Sequence, residues 1–225
     1  MYSINFSGPN GENVNFSVKN SACIGYSGRN QEMVKKHIEE LAAEGIQPPP
    51  SVPMVYPVSN ILVTQDDEIQ VLGKKTSGEV EFVLLINNEK TYVTVGSDHT
   101  DRELEGYSIP YAKQATPKPI AKEAWLLTEV IDHWDDLQMT CEIFINNNWE
   151  VYQNGNVTAN LSVDDILTFA NSKNAVDPKG TILFCGTVPI LGGQFIFGEG
   201  FRLTLADPVL NRKITHEYWV RDIAI

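Results

Sequence analysis

Apolar positions along this chain fall mostly in short alternating runs, as half-buried strands require, and recur at helical spacing in three segments. Weak alternation on either side of GPNGEN predicts a β-hairpin over residues 1–20. In GRNQEMVKKHIEELAAEG, residues Met33, Val34, Ile38 and Leu41 form a helical stripe, and Gly45 supplies a C′ residue. IQPPPSVP cannot continue that helix, because proline lacks an amide donor and clashes with the preceding turn. Strands are predicted around 54–64, 68–72, 79–87 and 90–96. IAKEAWLLTEVIDHWDDL reads as helical at least in part, with Val130, Ile131 and Trp134 close to one face. QNGN then signals a hairpin, and SVDDILTFANSK opens a helix with Ser162 and Asp165 at capping-box spacing. GTILFCGTVP, QFIFGEGFRLTLADP and KITHEYWV read as strands broken by Gly and Pro. The expected architecture is a single α+β domain over 1–225, rich in strands, with a small N-terminal portion (1–60) before the larger core (61–225).

One strand carries candidate chemistry. In SGEVEFVLLI, alternation puts Val80, Phe82 and Leu84 on one face and Glu79, Glu81, Val83 and Leu85 on the other. The two acids are then about 7 Å apart at the backbone and can converge at their tips beside an apolar layer. A solvated strand face with lysines nearby is the bland alternative. If the tips are buried, like charges at about 4 Å repel by roughly 4 kcal/mol at an effective dielectric near 20, so a cation or a proton must join them. A hard divalent cation, Mg²⁺ or Mn²⁺, suits such oxygen ligands. Asp98 follows the alternating TYVTV, where a strand end can aim a third carboxylate at the same place; His99, Asp101 and Glu103 compete with it by type. On the first helix, His37 lies near the apolar stripe with Glu40 one turn on, where the carboxylate could fix the imidazole tautomer. An ordinary boundary histidine is the alternative there, and His133 and His216 are read as structural.

Composition narrows the function classes. A net charge of −12 argues against nucleic acid or an anionic membrane surface as partner, and there is no apolar run long enough to span a bilayer. Cys23, Cys141 and Cys185 are odd in number and lack CxxC spacing, which argues against a disulfide framework or zinc knuckle and fits a reducing cytoplasm. The start, MYSINFSGPNGENVNFSV, lacks signal-peptide character, so sequons at Asn5, Asn15, Asn156 and Asn160 carry little weight.

Five segments in order resemble the fumarylacetoacetate hydrolase superfamily: GRNQEMVKKHIEEL with its His-x-x-Glu, SGEVEFVLLI with Glu-x-Glu, SDHTDREL, YAKQ, and SVDDILTFANSKNAVDPKGTILFCGTVP with a Thr-Gly-Thr-Pro-like loop. The similarity spans about residues 23–221, within a subfamily of no assigned function. It implies a mixed β-roll with a few short helices, a homodimer, and Mg²⁺ or Mn²⁺ held by Glu79, Glu81 and Asp98. It further implies a small oxo-acid substrate, His37 as general base oriented by Glu40, Lys113 beside developing oxyanion charge, and Arg102 and Thr187 as substrate contacts. The first expectation is a metal-dependent hydrolase cleaving a C–C bond in an acylpyruvate or β-diketo acid. A 2-oxo acid decarboxylase, tautomerase or dienoate hydratase on the same site is the alternative, and a non-catalytic acid-binding homodimer the next. Departures from the superfamily pattern fall around the pocket: Ser97 for Asn, Glu105 for Gln, KQATPKP after the lysine, and ILGGQFIFGEG after Thr187.

Overall fold

A computed structural model of the chain describes residues 2–43 and 48–225, without the side chains of His37, Glu40, Leu41 and Ala43. The predicted C′ residue Gly45 therefore lies outside the described residues. In chain order the elements are β1 (Ser3–Ser7), β2 (Asn13–Ser17), β3 (Asn20–Gly25), α1 (Gln31–Ala43), β4 (Met54–Val58), β5 (Val63–Thr64), β6 (Glu68–Val71) and β7 (Thr76–Ser77). There follow β8 (Val80–Ile86), β9 (Thr91–Ser97), β10 (Thr100–Asp101), α2 (Arg102–Glu105), α3 (Ile109–Gln114), β11 (Lys118–Pro119), β12 (Trp125–Leu126) and α4 (Leu127–Val130). The last are β13 (Gln138–Ile145), β14 (Asn148–Asn156), α5 (Val163–Ser172), β15 (Thr181–Thr187), β16 (Gly200–Asp207) and β17 (Arg212–Asp222).

The result is a strand-rich α+β fold built on two larger sheets. One has six strands in the order β12-β9-β8-β15-β3-β4, the other five in the order β14-β13-β16-β17-β6. β15 pairs parallel with β3 and antiparallel with β8, so the N-terminal residues contribute two strands to the central sheet. Alternation along β8 works as the sequence requires. Val80, Phe82, Leu84 and Ile86 point into a core shared with Met139, Cys141, Phe201, Leu203 and Leu205 of the second sheet. Val83 and Leu85 point the other way, into a second cluster roofed by Ile4, Phe6, Phe16 and Val18 of the N-terminal hairpin. Burial on both faces explains why β8 reads as a continuous apolar run, and each large side chain there contributes about 1.5–3 kcal/mol.

Two local readings need correcting. The hairpin turn sits at Asn146–Asn147, both left-handed (φ 51° and 62°), and QNGN lies within β14. Gly155 is small because Val188 packs against its α-carbon: a Cβ there would meet Val188 at 3.0 Å. Residues 194–199 are irregular rather than strand, and β16 starts only at Gly200. The stretch read as part helix is α4 plus a 3₁₀ turn, Ile131–Asp136. Ser162 caps α5 as its spacing requires, its Oγ accepting from Asp165 N–H (3.2 Å), but the shorter Asp165 carboxylate accepts from Ser162 Oγ–H (2.6 Å) in place of the backbone N–H that would close a capping box.

Candidate active site

Strand ends and two short helices assemble the site. Glu79 immediately precedes β8, Glu81 is its second residue, and Asp98 follows β9, which pairs with β8 so that Val80 lies opposite Ser97. Asp98 N–H donates to Glu79 O (3.1 Å), fixing the two acids in one turn of ladder. One carboxylate oxygen from each of Glu79, Glu81 and Asp98 lies within 4.8 Å of the others. Glu81 and Asp98 are buried, on the same side of the sheet as Val83 and Leu85.

A bulge in β15 serves Glu81. The β8–β15 register shifts between Phe184 and Thr187, and Gly186 takes φ +114°, a conformation open to glycine. Its N–H leaves the ladder and donates to Glu81 Oε2 (2.8 Å). Fully buried Gln153 from β14 repairs the ladder: its Oε1 accepts from Val80 N–H (3.0 Å), and its Nε2 donates to Thr187 Oγ1 (2.8 Å) and Val188 O (2.6 Å). Thr187 Oγ1 in turn donates to Val80 O (2.8 Å), so the structure places this predicted substrate contact in a lock on the site strand.

Three cations face the acids. Lys113 on α3 donates to Asp98 Oδ2 through a short contact, and its Nζ lies 3.9 Å from Glu79 Oε2. Lys118, fully buried at the start of β11, lies 3.4 Å from Asp98 Oδ1. It also donates to the carbonyls of His99 (2.7 Å), Lys113 and Thr116 (3.0 Å). Sequence reading passed over Lys118, whose only local signal is a lysine followed by proline. Arg102, the first residue of α2, donates from Nε to Ser77 Oγ (2.7 Å) and from Nη1 to Glu105 Oε2 (2.8 Å). Its Nη2 pairs with Glu79 Oε1 at 3.1 Å but is buried without an aligned hydrogen-bond acceptor. Phe195 stacks on the guanidinium, 4.2 Å from Cζ to the ring centroid.

Electrostatics separate the groups. Burial, then the negative charge of Asp98 and Glu79, raises the Glu81 pKa well above the usual range. Burial would also raise Asp98, but Lys113 and Lys118 outweigh it and hold that carboxyl at about 2. Lys113, against the cost of burial, is raised by Asp98 and Glu79. Burial lowers Lys118 despite Asp98, yet its three carbonyl acceptors call for the three donors of an ammonium. His99 is held neutral by burial; its Nδ1 meets Tyr218 Oη (3.0 Å), which donates on to Ser97 Oγ (2.9 Å). Ser97 Oγ also accepts from Glu79 N–H (3.1 Å), so His99 and, from the second sheet, Tyr218 buttress the site rather than ligate. Asp101 caps α2 and Glu103 pairs with Lys75 (3.3 Å); neither joins the triad. The side chains of His37 and Glu40, on α1, lie outside the described residues.

The donor set fits a hard divalent cation. All three candidate ligands are carboxylates, and among the described residues Glu81 has a single N–H donor for a carboxylate beside two others, a deficit that such a cation would fill.

The site and fold define a class: a strand-rich α+β protein with an acidic triad at the ends of paired strands, countered by buried lysines. The chain belongs to the family described as protein of unknown function (DUF2848), whose model matches residues 24–218. No curated protein matches it by sequence. Among solved structures, the fold is similar to that of Cg1458 with inhibitor (TM-score 0.66, 17% identity, covering 92% of this chain and 78% of that one). It is similar also to 2-keto-3-deoxyarabinonate dehydratase (TM-score 0.63, 15% identity, 92% and 74%). A third is 4-oxalocrotonate decarboxylase from Pseudomonas putida G7, complexed with calcium and acetate (TM-score 0.60, 15% identity, 90% and 79%). Among the described residues no helix is long and apolar enough to cross a membrane.

Proposed function

We propose that this chain is a divalent-metal-dependent enzyme of the fumarylacetoacetate hydrolase superfamily that acts on a small 2-oxo acid. The observation that carries this reading is the convergence of Glu79, Glu81 and Asp98 within 4.8 Å, with Lys113 alongside. When bound there, Mg²⁺ or Mn²⁺ would supply Lewis acidity toward a 2-oxo-carboxylate. Glu79, Glu81 and Asp98 would hold it. Lys113, 9% exposed at the side chain, keeps a positive charge at the rim of the triad, where enolate character in a substrate would be stabilised. Lys118 and Arg102 fix Asp98 and Glu79 in place, so little reorganisation accompanies the change in substrate charge.

Charge stabilisation of this kind serves decarboxylation or dehydration, and the dehydratase and decarboxylase among the similar folds favour that class. Hydrolysis of a C–C bond is the second reading, favoured by the His-x-x-Glu spacing of His37 and Glu40, which supplies a base for water. We also expect a homodimer, with a solution mass twice the 25.1 kDa of the chain. The test is product analysis of a panel of 2-oxo and 2,4-dioxo acids with the Mn²⁺-loaded protein, alongside His37→Ala. Turnover lost in His37→Ala with Mn²⁺ binding retained supports base catalysis at His37. A protein that binds Mn²⁺ but transforms no oxo-acid overturns the enzymatic reading in favour of an acid-binding homodimer.

A further inference from the structure

Exposure is graded across the charged cluster. Lys118, Asp98, Arg102 and Lys113 are buried, whereas the side chains of Glu79 and Glu105 are 17% and 23% exposed, so the cluster opens to solvent on their side. Phe195, about half exposed, covers the Arg102 guanidinium at that opening. Tyr26, partly buried, lies close enough to Glu105 and Tyr56 to feel both, and Tyr56 is itself beneath Lys113 (5.8 Å from Nζ to ring centroid). The opening thus presents two carboxylates, Glu79 of the triad and Glu105 beyond it, beside the Phe195 ring.

Glu105 changes what the site can bind. It already occupies Nη1 of Arg102 at 2.8 Å, while Ser77 occupies Nε and Phe195 a face of the guanidinium. Only Nη2 is left without an aligned acceptor. Among the described residues the cluster holds four carboxylates (Glu79, Glu81, Asp98 and Glu105) against three cations (Arg102, Lys113 and Lys118). A divalent cation on the triad turns one excess negative charge into one excess positive charge. A single carboxylate from the ligand neutralises that excess; a second would be a bare anion next to Glu105 in a half-buried site, which electrostatics strongly disfavours.

We propose that Glu105 and Phe195 set the substrate class: a monoanionic 2-oxo acid whose distal tail is uncharged and apolar, with dicarboxylates rejected by Glu105. This rests on the oxo-acid reading above and deepens it. Glu105 acts as a built-in carboxylate on Arg102, taking the place that the distal carboxylate of a dianion would need. Phe195 and Tyr26 leave an aromatic surface for an alkyl tail.

The experiment is calorimetric titration of the Mn²⁺-loaded protein with pyruvate, 2-oxopentanoate and 2-oxoglutarate; the last two have equal chain length and differ in a terminal methyl versus a terminal carboxylate. Mn²⁺ alone is titrated into each variant as control. The wild type should prefer 2-oxopentanoate over 2-oxoglutarate by about tenfold or more, and Glu105→Gln should narrow or reverse that ratio while Mn²⁺ affinity holds. Phe195→Ala should weaken 2-oxopentanoate several-fold and leave pyruvate nearly unchanged. Equal affinity for the two acids in the wild type, an unchanged ratio in Glu105→Gln, or equal losses for pyruvate and 2-oxopentanoate in Phe195→Ala would each overturn the proposal while leaving the oxo-acid reading intact. Binding of none of the three acids to Mn²⁺-loaded protein would overturn both.

Discussion

Replacing Glu81 by Gln should stabilise the metal-free protein, and more so as pH rises. Glu81 lies within 4.8 Å of carboxylate oxygens on both Glu79 and Asp98. Each such pair costs about 3.5 kcal/mol at an effective dielectric near 20. Lys113 offsets roughly one of them, so an ionised Glu81 is a net liability of about 3.5 kcal/mol, to which its burial adds. Burial and the two neighbouring acids raise its folded pKa above the unfolded value near 4.5, so the native state binds the extra proton. Stability therefore falls as pH rises from the unfolded value toward the raised native one. Gln retains an acceptor for the Gly186 N–H, now made to Glu81 at 2.8 Å, and removes the titration. Thermal unfolding in EDTA should show Glu81→Gln gaining on the wild type between pH 5 and pH 8 by up to about 7–14 °C, taking about 2–4 °C per kcal/mol for a chain of this size. Excess Mn²⁺ should narrow the gap at a hundredfold excess over Kd, where only the wild type gains roughly 2.7 kcal/mol, and invert the order at a thousandfold excess, where the gain is about 4.1 kcal/mol. Parallel pH curves for the two proteins in EDTA would refute the reasoning.

Asp98→Asn should cost about 3–5 kcal/mol at neutral pH, because Lys113 and Lys118 lose the partner that offsets their burial; denaturant midpoints measure this. The Asp98 carboxyl, held at about 2, contributes stability that is fully present above its unfolded value near 3.8 and lost as pH falls toward 2, so the variant should lack that part of the wild type's acid sensitivity. Gln153→Leu should cost about 1–3 kcal/mol by stranding the Val80 N–H, and should also weaken Mn²⁺ binding because Val80 lies between Glu79 and Glu81; an unchanged Mn²⁺ isotherm would show that the lock is irrelevant to the site.

Much of the fold could be read from periodicity. β8 is legible because strict alternation places Glu81 with Val83 and Leu85 and leaves Phe82 and Leu84 for the other face, as found. The cap of α5 was readable for a similar reason, since Ser162 and Asp165 interact within one turn. Misreadings came where tertiary packing chose between local options: Asn146–Asn147 makes the turn, while Gly155 of the stronger-looking QNGN yields space to Val188. Glu79 and Glu81 were legible from spacing, Asp98 stood among competing candidates until the resemblance singled it out, and the counter-charges were only half legible. Lys113 and Arg102 entered through the resemblance, whereas Lys118 owes its burial to carbonyls of His99, Lys113 and Thr116 that no sequence pattern brings together. Gln153 and Tyr218 act on the site from the second sheet, across long sequence separations, and carry no local signal at all.

The most direct measurement is Mn²⁺ titration of EDTA-stripped wild type with Glu79→Gln and Glu81→Gln in parallel. Saturable binding at one ion per chain in the wild type, lost in both variants while each remains folded, is the predicted result. Absence of binding at millimolar Mn²⁺, or binding that both variants retain, would contradict a metal centre at Glu79, Glu81 and Asp98.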